Sequence, residues 1–408
     1  MRYFSLSKKF KNKILSLPSC SAPLVSIIIP VHNKFYYTLQ CLQSIFDTSK
    51  GIDYEIILAD DASTDETINI SHCVNNLKIV RNEKNLGFIN NCNNAAKTAI
   101  GKYILFLNND TKVKTNWLKY LLDAAKNDSS IGLIGSKLIF SNGKLQEAGG
   151  IVWNNADSLN YGRFDNPEKQ EYNYLRECDY VSGASMMIRR NLFNKIGGFD
   201  SRYCPAYYED TDLAFEVRKT GYKVVFQPFS EVVHYEKISH GNKSGKKYKA
   251  SNRNKFYEKW KEILTKEHFE VNKHSFAARD RSKNKKTIVI LVNELLSPVS
   301  GRDDLKLSSH TDFLLKKGFN VKLILIKYYP VNHCYIRRLQ TKGIEVIWYS
   351  YFVRKKIIKL ISTNKRYIDY IILDKQKIPD NYLDFIKKRT RINVVKIDNG
   401  LHDLLFYD

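Results

Sequence analysis

The sequence predicts an α/β protein, with a mostly parallel central sheet in the first part of the chain and a second, Rossmann-like α/β domain behind it. Three observations carry that expectation. Short apolar runs alternate with stretches of helical period, which builds βαβ units and a parallel sheet. Three of the first four runs stop on polar clusters, as strands do where an open sheet binds ligand at its C-terminal edge. The alternation then starts afresh at Thr287, in a chain whose 408 residues exceed one ordinary core.

In chain order, residues 1–20 place Tyr3, Leu6, Phe10, Ile14 and Leu17 at helical spacing among Arg2, Lys8, Lys9, Lys11 and Lys13. Such a basic amphipathic helix can lie on an anionic membrane surface or pack on its own domain. Leu24–Val31 is the first strand and runs into His32-Asn33; Tyr36–Phe46 then sets Leu39, Leu42, Ile45 and Phe46 on one helical face. Tyr54–Ala59 is the second strand and ends on the run Asp60–Asp65. Leu77–Arg81 is the third, followed by a Gly/Asn-rich turn at Asn85–Phe88 and a helix through Asn94–Ile100. Tyr103–Leu107 is the fourth and stops on Asn108-Asn109-Asp110. In a parallel sheet the C-terminal strand ends share one edge, so Pro30–Asn33, Asp60–Asp65 and Asn108–Asp110 are expected to converge there. Taken singly, each has a plainer use: Asp65 suits a helix cap, and Asn-Asp pairs make turns.

Composition narrows the class. The chain is 43% hydrophobic and 12% aromatic, as globular proteins are. Its seven cysteines are scattered, odd in number and never paired as C-x-x-C, which points away from a disulfide framework or zinc site and toward a reducing, cytoplasmic setting. No apolar run approaches the roughly 20 residues of a membrane span. The formal charge is +24, and Lys237–Lys286 holds 16 Lys/Arg against five Asp/Glu. That charge suits a polyphosphate or an anionic membrane surface; no nucleic-acid-binding motif accompanies it.

SIIIPVHN (26–33), DDASTDET (60–67), NLGFINNCNNA (85–95) and FLNNDT (106–111) together resemble the successive motifs of family 2 glycosyltransferases of GT-A fold. The likeness continues through QEAGGIVW (146–153), YVSGASMMIRR (180–190), IGGFD (196–200), YYEDTDLAFEVRKTGY (207–222) and QPFSEVVHYEKIS (227–239), in register over about Leu24–Ser239. Among branches of the family it is most similar to the rhamnosyltransferase-like enzymes of bacterial surface polysaccharides.

The resemblance implies an inverting transferase that moves a sugar from a UDP-, dTDP- or GDP-linked donor to a saccharide or lipid-linked saccharide acceptor. It implies that Pro30, His32, Asn33 and Asp61 hold the base and ribose, and that Asn94 lies near the diphosphate or sugar. The family's Asp-x-Asp-like triplet is Asn108-Asn109-Asp110 here, so Asp110 is the main anionic ligand for a divalent metal, Mg²⁺ or Mn²⁺, with His234 as a candidate second ligand. One carboxylate instead of two implies weak metal binding without nucleotide. EDTDLAFEVRKTG reads as a helix stopped near Gly221; on its residues alone, plain capping of that helix by Asp210 or Asp212 fits as well as a catalytic carboxylate. The resemblance selects Asp210 as the catalytic base and Glu209 as its neighbour. A non-catalytic glycan-binding or scaffold protein of a polysaccharide assembly complex is the alternative.

The domains expected are a basic N-terminal segment (1–23), a GT-A domain (24–240), a basic helical tail and linker (241–286) and a Rossmann-like domain (287–408). In the tail, Phe256, Tyr257, Trp260, Ile263 and Leu264 form a helical apolar set, and Arg279–Lys286 reads as an exposed linker. Residues 287–408 resemble the N-terminal half of family 4 (GT-B) enzymes, without the lobe that carries their donor phosphate site. The expected location is the cytoplasm, with peripheral attachment to the inner face of the membrane left open.

Overall fold

The computed structural model describes residues 14–236, 242–271, 274–293, 295, 302–327, 333–351, 353–374 and 392–397. The chain divides into two compact units, Met1–Pro167 with Glu177–Val271, and Glu168–Arg176 with Asn272–Asp408.

The first unit is built on β1 (Val25–Val31), α1 (Phe35–Thr48), β2 (Tyr54–Asp60), β3 (Lys78–Arg81), α2 (Gly87–Ala96), β4 (Tyr103–Leu107), α3 (Trp117–Asn127), β5 (Ile131–Phe140), β6 (Ser185–Arg189), α4 (Glu209–Lys219), β7 (Lys223–His234) and α5 (Asn242–Glu267). Its sheet runs β7-β5-β6-β4-β1-β2-β3. The β4-β1-β2-β3 portion is parallel, and β6 enters antiparallel to both β4 and β5. The α/β class and the mostly parallel sheet are therefore the expected ones, with β6 as the antiparallel strand. Helices cover both faces, so β1 and β4 are buried on both sides and read as continuous apolar runs; Ile27, Ile28 and Ile29 have no exposed surface. Each such side chain contributes about 1.5–3 kcal/mol relative to an exposed one.

Two local expectations change. The segment 1–13 of the proposed N-terminal helix lies outside the described residues, and the helix does not extend past it. Leu15–Ser16 instead pairs as a short parallel strand with Val74–Asn75, and that pairing buries Leu17. The helix placed at Asn94–Ile100 begins earlier, at Gly87. The cause is tertiary: the Asp61 carboxylate, distant in sequence, accepts the Leu86 and Gly87 amides at 2.8 and 2.9 Å and so satisfies the first donors of the helix. Gly87 has φ 79°, a left-handed backbone that glycine adopts without strain, and a Cβ there would press on Pro205 Cβ at 3.1 Å.

The second unit carries β8 (Thr287–Val292), α6 (Arg302–Lys316), β9 (Asn320–Leu325), α7 (His333–Thr341), β10 (Glu345–Ile347), α8 (Val353–Asn364), β11 (Tyr370–Asp374) and β12 (Asn393–Ile397). All pairs in its sheet, β10-β9-β8-β11-β12, are parallel. Alternate residues of β8 feed two cores: Ile288, Ile290 and Val292 pack with Leu314, Tyr335 and Leu339, while Val289 and Leu291 pack with Ile357 and Ile361. Helices thus cover both faces, the doubly wound arrangement. The exposed-linker reading of Arg279–Lys286 fails at its start. Arg279 and Asp280 are 4% and 3% exposed, because each meets buried partners of opposite charge on β9 and β10.

Candidate active site

Strand β4 carries Asn108–Asp110 to the sheet edge, and the three polar clusters meet there. Asn33 accepts the Thr64 and Asp65 amides at 2.7 and 3.1 Å on Oδ1 and donates its own N–H to Ser63 Oγ at 2.8 Å. His32 Nδ1 lies 2.8 Å from the Asp61 carbonyl. The buried Asn109 amide donates to Thr38 Oγ1 at 3.1 Å. Asn33 and Lys34 have φ of 62° and 71°, a left-handed corner that turns the chain across the edge. Asp65 serves the plainer use: it accepts Thr67 N at 3.0 Å as a cap and Phe35 N at 3.1 Å.

Asp110 is 4% exposed and points one oxygen, Oδ1, at His234 Nε2, 3.1 Å away. His234 closes β7, whose last residues pair with Thr111–Val113, just beyond the triplet. Its other ring nitrogen, Nδ1, faces the Gln146 carboxamide nitrogen at 3.0 Å. Asn108 Nδ2 lies 3.5 Å from the same Nε2. Among the described residues no group of three or more His, Cys, Asp or Glu side chains is placed to hold a metal. The protein's own offer is one carboxylate, one imidazole and neighbouring amides. That suits a divalent ion taking its remaining ligands from a substrate phosphate and water.

The carboxylates of α4 lie beside this edge. Asn108 N donates to Ala184 O at 3.0 Å, and the preceding residues of that loop grip two acids. Gly183 N donates to Asp210 Oδ2 at 3.0 Å, and Ser182 N donates to Glu147 Oε1 at 3.0 Å. Asp210 Oδ1 also accepts Thr211 N at 2.7 Å and Thr211 Oγ1 at 3.1 Å. Burial pushes Asp210 above the ordinary Asp range, although these bonds oppose it. Burial and then the nearby Asp210 charge raise Glu209 as well, and one oxygen of Glu209 is buried with no partner. Asp210, with three donors, is therefore the first of this pair to ionise.

Two consecutive left-handed residues, Tyr207 and Tyr208 (φ 77° and 72°), aim α4 at the edge. Helix α5 braces them: Asn252 Nδ2 donates to the carbonyls of Tyr203, Ala206 and Tyr207 at 2.7–3.0 Å. Asp212 is not free for chemistry. It accepts Tyr203 OH, Lys259 Nζ and Trp260 Nε1 at 3.0, 2.8 and 2.7 Å, and so ties α4 to α5.

Of the residues singled out by sequence, Pro30, His32, Asn33, Asp61, Asn108, Asp110, Glu209, Asp210 and His234 gather along this edge of the unit. Asn94 is bonded to Asn82 at 3.1 Å and to Lys97 at 3.2 Å, on the later part of α2. Asp61 supports the frame: Asn82 Nδ2 at 3.0 Å joins the two amides on its carboxylate. Asp61→Ala strands those amides and is expected to destabilise the first unit by about 1–3 kcal/mol, read as a lower thermal midpoint.

Sequence reasoning passed over Gln146 and Glu147. They stand in the short strand Leu145–Glu147, whose signal was the bare dipeptide QE in an otherwise apolar motif. Burial and the Asp210 charge push Glu147 up to about 8 from 4.5. An acid raised in the folded state binds more protons folded than unfolded between those values, so stability falls as pH rises through that window. Glu147→Gln is expected to remove this loss, gaining thermal stability over the wild type at pH 8.5 and little at pH 4. Parallel melts at the two pH values check it.

Residues 26–197 match the family model described as Glycosyl transferase family 2. This stretch is similar to the family 2 glycosyltransferases. Asp210 and His234 follow it in the same compact unit. Over 238 residues the chain is 28% identical to the O-antigen biosynthesis protein RfbC of Myxococcus xanthus, covering 54% of this chain and 18% of that protein. It is 25% identical over 213 residues to the N-acetylglucosaminyl-diphospho-decaprenol L-rhamnosyltransferase of Mycobacterium tuberculosis, covering 46% and 68%. A crystal structure of GalNAc-T7 with UDP, GalNAc and Mn²⁺ aligns at TM-score 0.49 and 18% identity, over 61% of this chain and 50% of that one. The chain spans about a quarter or less of the length of some curated relatives it matches.

Proposed function

We propose that the chain is an inverting glycosyltransferase that moves a sugar from a nucleotide-diphosphate donor to a hydroxyl of a growing surface glycan. One observation carries this: the Asp110–His234 pair and the Asp210 carboxylate are brought to one edge by the adjoining backbone of Asn108 and Gly183-Ala184.

Asp210 is the general base. It takes the proton of the acceptor hydroxyl as that oxygen bonds to the anomeric carbon. The bond from that carbon to the diphosphate breaks on the opposite face, and its electron pair leaves with the phosphate, so the anomeric configuration inverts. Asp110 and His234 would hold a divalent ion, which supplies positive charge against the departing diphosphate. Pro30–Asn33 and Asp61 frame the nucleoside. Asp61 Oδ1 is taken by Asn82 and Leu86, while Oδ2 has Gly87 alone and keeps an acceptor site for a ring N–H of the base.

The RfbC and rhamnosyltransferase likenesses support a surface-glycan acceptor, saccharide or lipid-linked; the donor in this proposal is UDP-, dTDP- or GDP-linked. No helix among the described residues is long and apolar enough to cross a membrane. Calorimetric titration of the protein with UDP, dTDP and GDP, each with Mg²⁺ or Mn²⁺, tests the reading. Binding of one nucleotide at micromolar affinity, dependent on metal, is expected. Binding of none would favour the scaffold alternative.

A further inference from the structure

Most large apolar side chains of the first unit are buried, but Phe164 is 57% exposed. Its backbone is strained as well: φ is 69°, a left-handed conformation that a bulky residue adopts only under constraint. The constraint is a hook onto the strand Leu145–Glu147. Phe164 N donates to Leu145 O at 2.8 Å, and Leu145 N donates to Asp165 O at 2.9 Å. One side of the Phe164 ring stacks on Phe140, with centroids 5.1 Å and planes 8° apart. The Arg163 guanidinium lies 4.9 and 4.8 Å from the ring centroids of Phe140 and Phe164. Its Nη2 reaches both Glu236 oxygens, at 3.1 and 2.8 Å, while Nε and Nη1 donate to no described residue.

This cluster borders the candidate active site. Phe140 lies opposite His234 where β5 and β7 pair. Glu236 follows two residues after His234, and the Tyr235 N–H between them donates to the Asp110 carbonyl at 3.0 Å. The Arg163 charge acts on Glu147, whose Oε1 accepts Ser182 N next to the contact of Gly183 with Asp210. A flat apolar ring beside a paired cation and carboxylate is the chemistry that recognises a pyranose. The C–H face of a sugar packs on an aromatic face, and its adjacent hydroxyls both donate and accept. Arg163 supplies donors and Glu236 acceptors. Each holds the other in place, so little rotamer freedom is lost on binding. We propose that Phe164, Arg163 and Glu236 form a subsite that holds a neutral pyranose ring of the acceptor. The two charges cancel, which favours an uncharged sugar over a uronic acid. This subsite rests on the transferase reading above and gives its acceptor a chemical class.

Saturation-transfer difference NMR on the full chain tests it, with methyl β-D-glucopyranoside, methyl β-D-N-acetylglucosaminide and methyl β-D-glucuronide as probes. At least one neutral pyranoside is expected to bind, saturated most strongly at the C–H protons of one face, and the glucuronide to bind more weakly. Phe164→Ala should weaken the neutral probe about tenfold, and Phe164→Tyr, which keeps the ring face, should restore it. Glu236→Gln leaves the Arg163 charge unopposed and should turn the preference toward the glucuronide. Affinity for UDP, dTDP and GDP with Mn²⁺, read by calorimetry, should be the same in wild type and Phe164→Ala. With nucleotide binding intact, this inference alone is overturned by no binding of either neutral probe, by a wild-type preference for the glucuronide, or by equal affinity in Phe164→Ala. Loss of nucleotide binding in Phe164→Ala would assign the ring to the donor and overturn it too. Pyranoside binding that depends on Phe164, in a chain that binds no nucleotide, would keep the saccharide subsite and overturn the transferase reading.

Discussion

Asp210→Asn is expected to slow sugar transfer by about 10²–10⁴-fold while leaving nucleotide binding intact. An amide cannot take the acceptor's proton. The substitution is otherwise mild: Asn keeps an oxygen for Thr211, and only the contact with Gly183 N, now donor against donor, is lost. The wild-type rate should rise with pH through a value above the ordinary Asp range, because burial raises the Asp210 carboxyl and the base must be ionised. That limb should vanish in the variant. Turnover of a panel of nucleotide sugars, by wild type and variant at several pH values, is the measurement. Equal rates would rule Asp210 out as the base.

The second large effect is structural. Lys322 of β9 is 3% exposed at its side chain and sits 2.6 Å from both Asp280 Oδ2 and Glu345 Oε2. Arg279 grips both oxygens of Glu345 at 2.9 and 2.8 Å, and Tyr174 donates to Asp280. Although burial opposes it, the cations Lys322, Arg279 and Arg176 hold Asp280 well below the usual carboxylate range. Lys322→Met would leave two buried carboxylates short of a cation, and the second unit should lose about 3–5 kcal/mol. Hydrogen exchange resolved by segment checks it: amides of β8, β9 and β10 should lose protection while β1, β2 and β4 keep theirs. Because Asp280 is depressed, the stability it contributes is present above the ordinary Asp range and disappears only in stronger acid. Uniform loss of protection across both units would contradict this assignment.

The sheet of the first unit was legible because its strands are buried on both faces. LVSIIIPV, YEIILA and YILFL stand out as apolar runs whatever surrounds them. The second unit was legible for the same reason, from TIVILV onward. Helix starts were harder to place. Nothing local marks Gly87 as the beginning of α2, because the group that satisfies its first amides belongs to Asp61. The linker reading of Arg279–Asp280 erred likewise. A charge run looks solvated until opposite charges on other strands bury it.

The sequence by itself determined the order of strands, the acids and amides at their ends, and which residue types are available for transfer chemistry. Tertiary structure decided which of those acids are free. Asp212 and Asp65 carry the right chemistry, but other side chains and amides consume them. Asp210 faces the loop beside Asn108, and Asp110 faces His234. It also brought in Gln146 and Glu147, from a three-residue strand with no period of its own. Periodicity reports which face of an element is buried; hydrogen-bond partners far apart in the chain are fixed only when the elements pack.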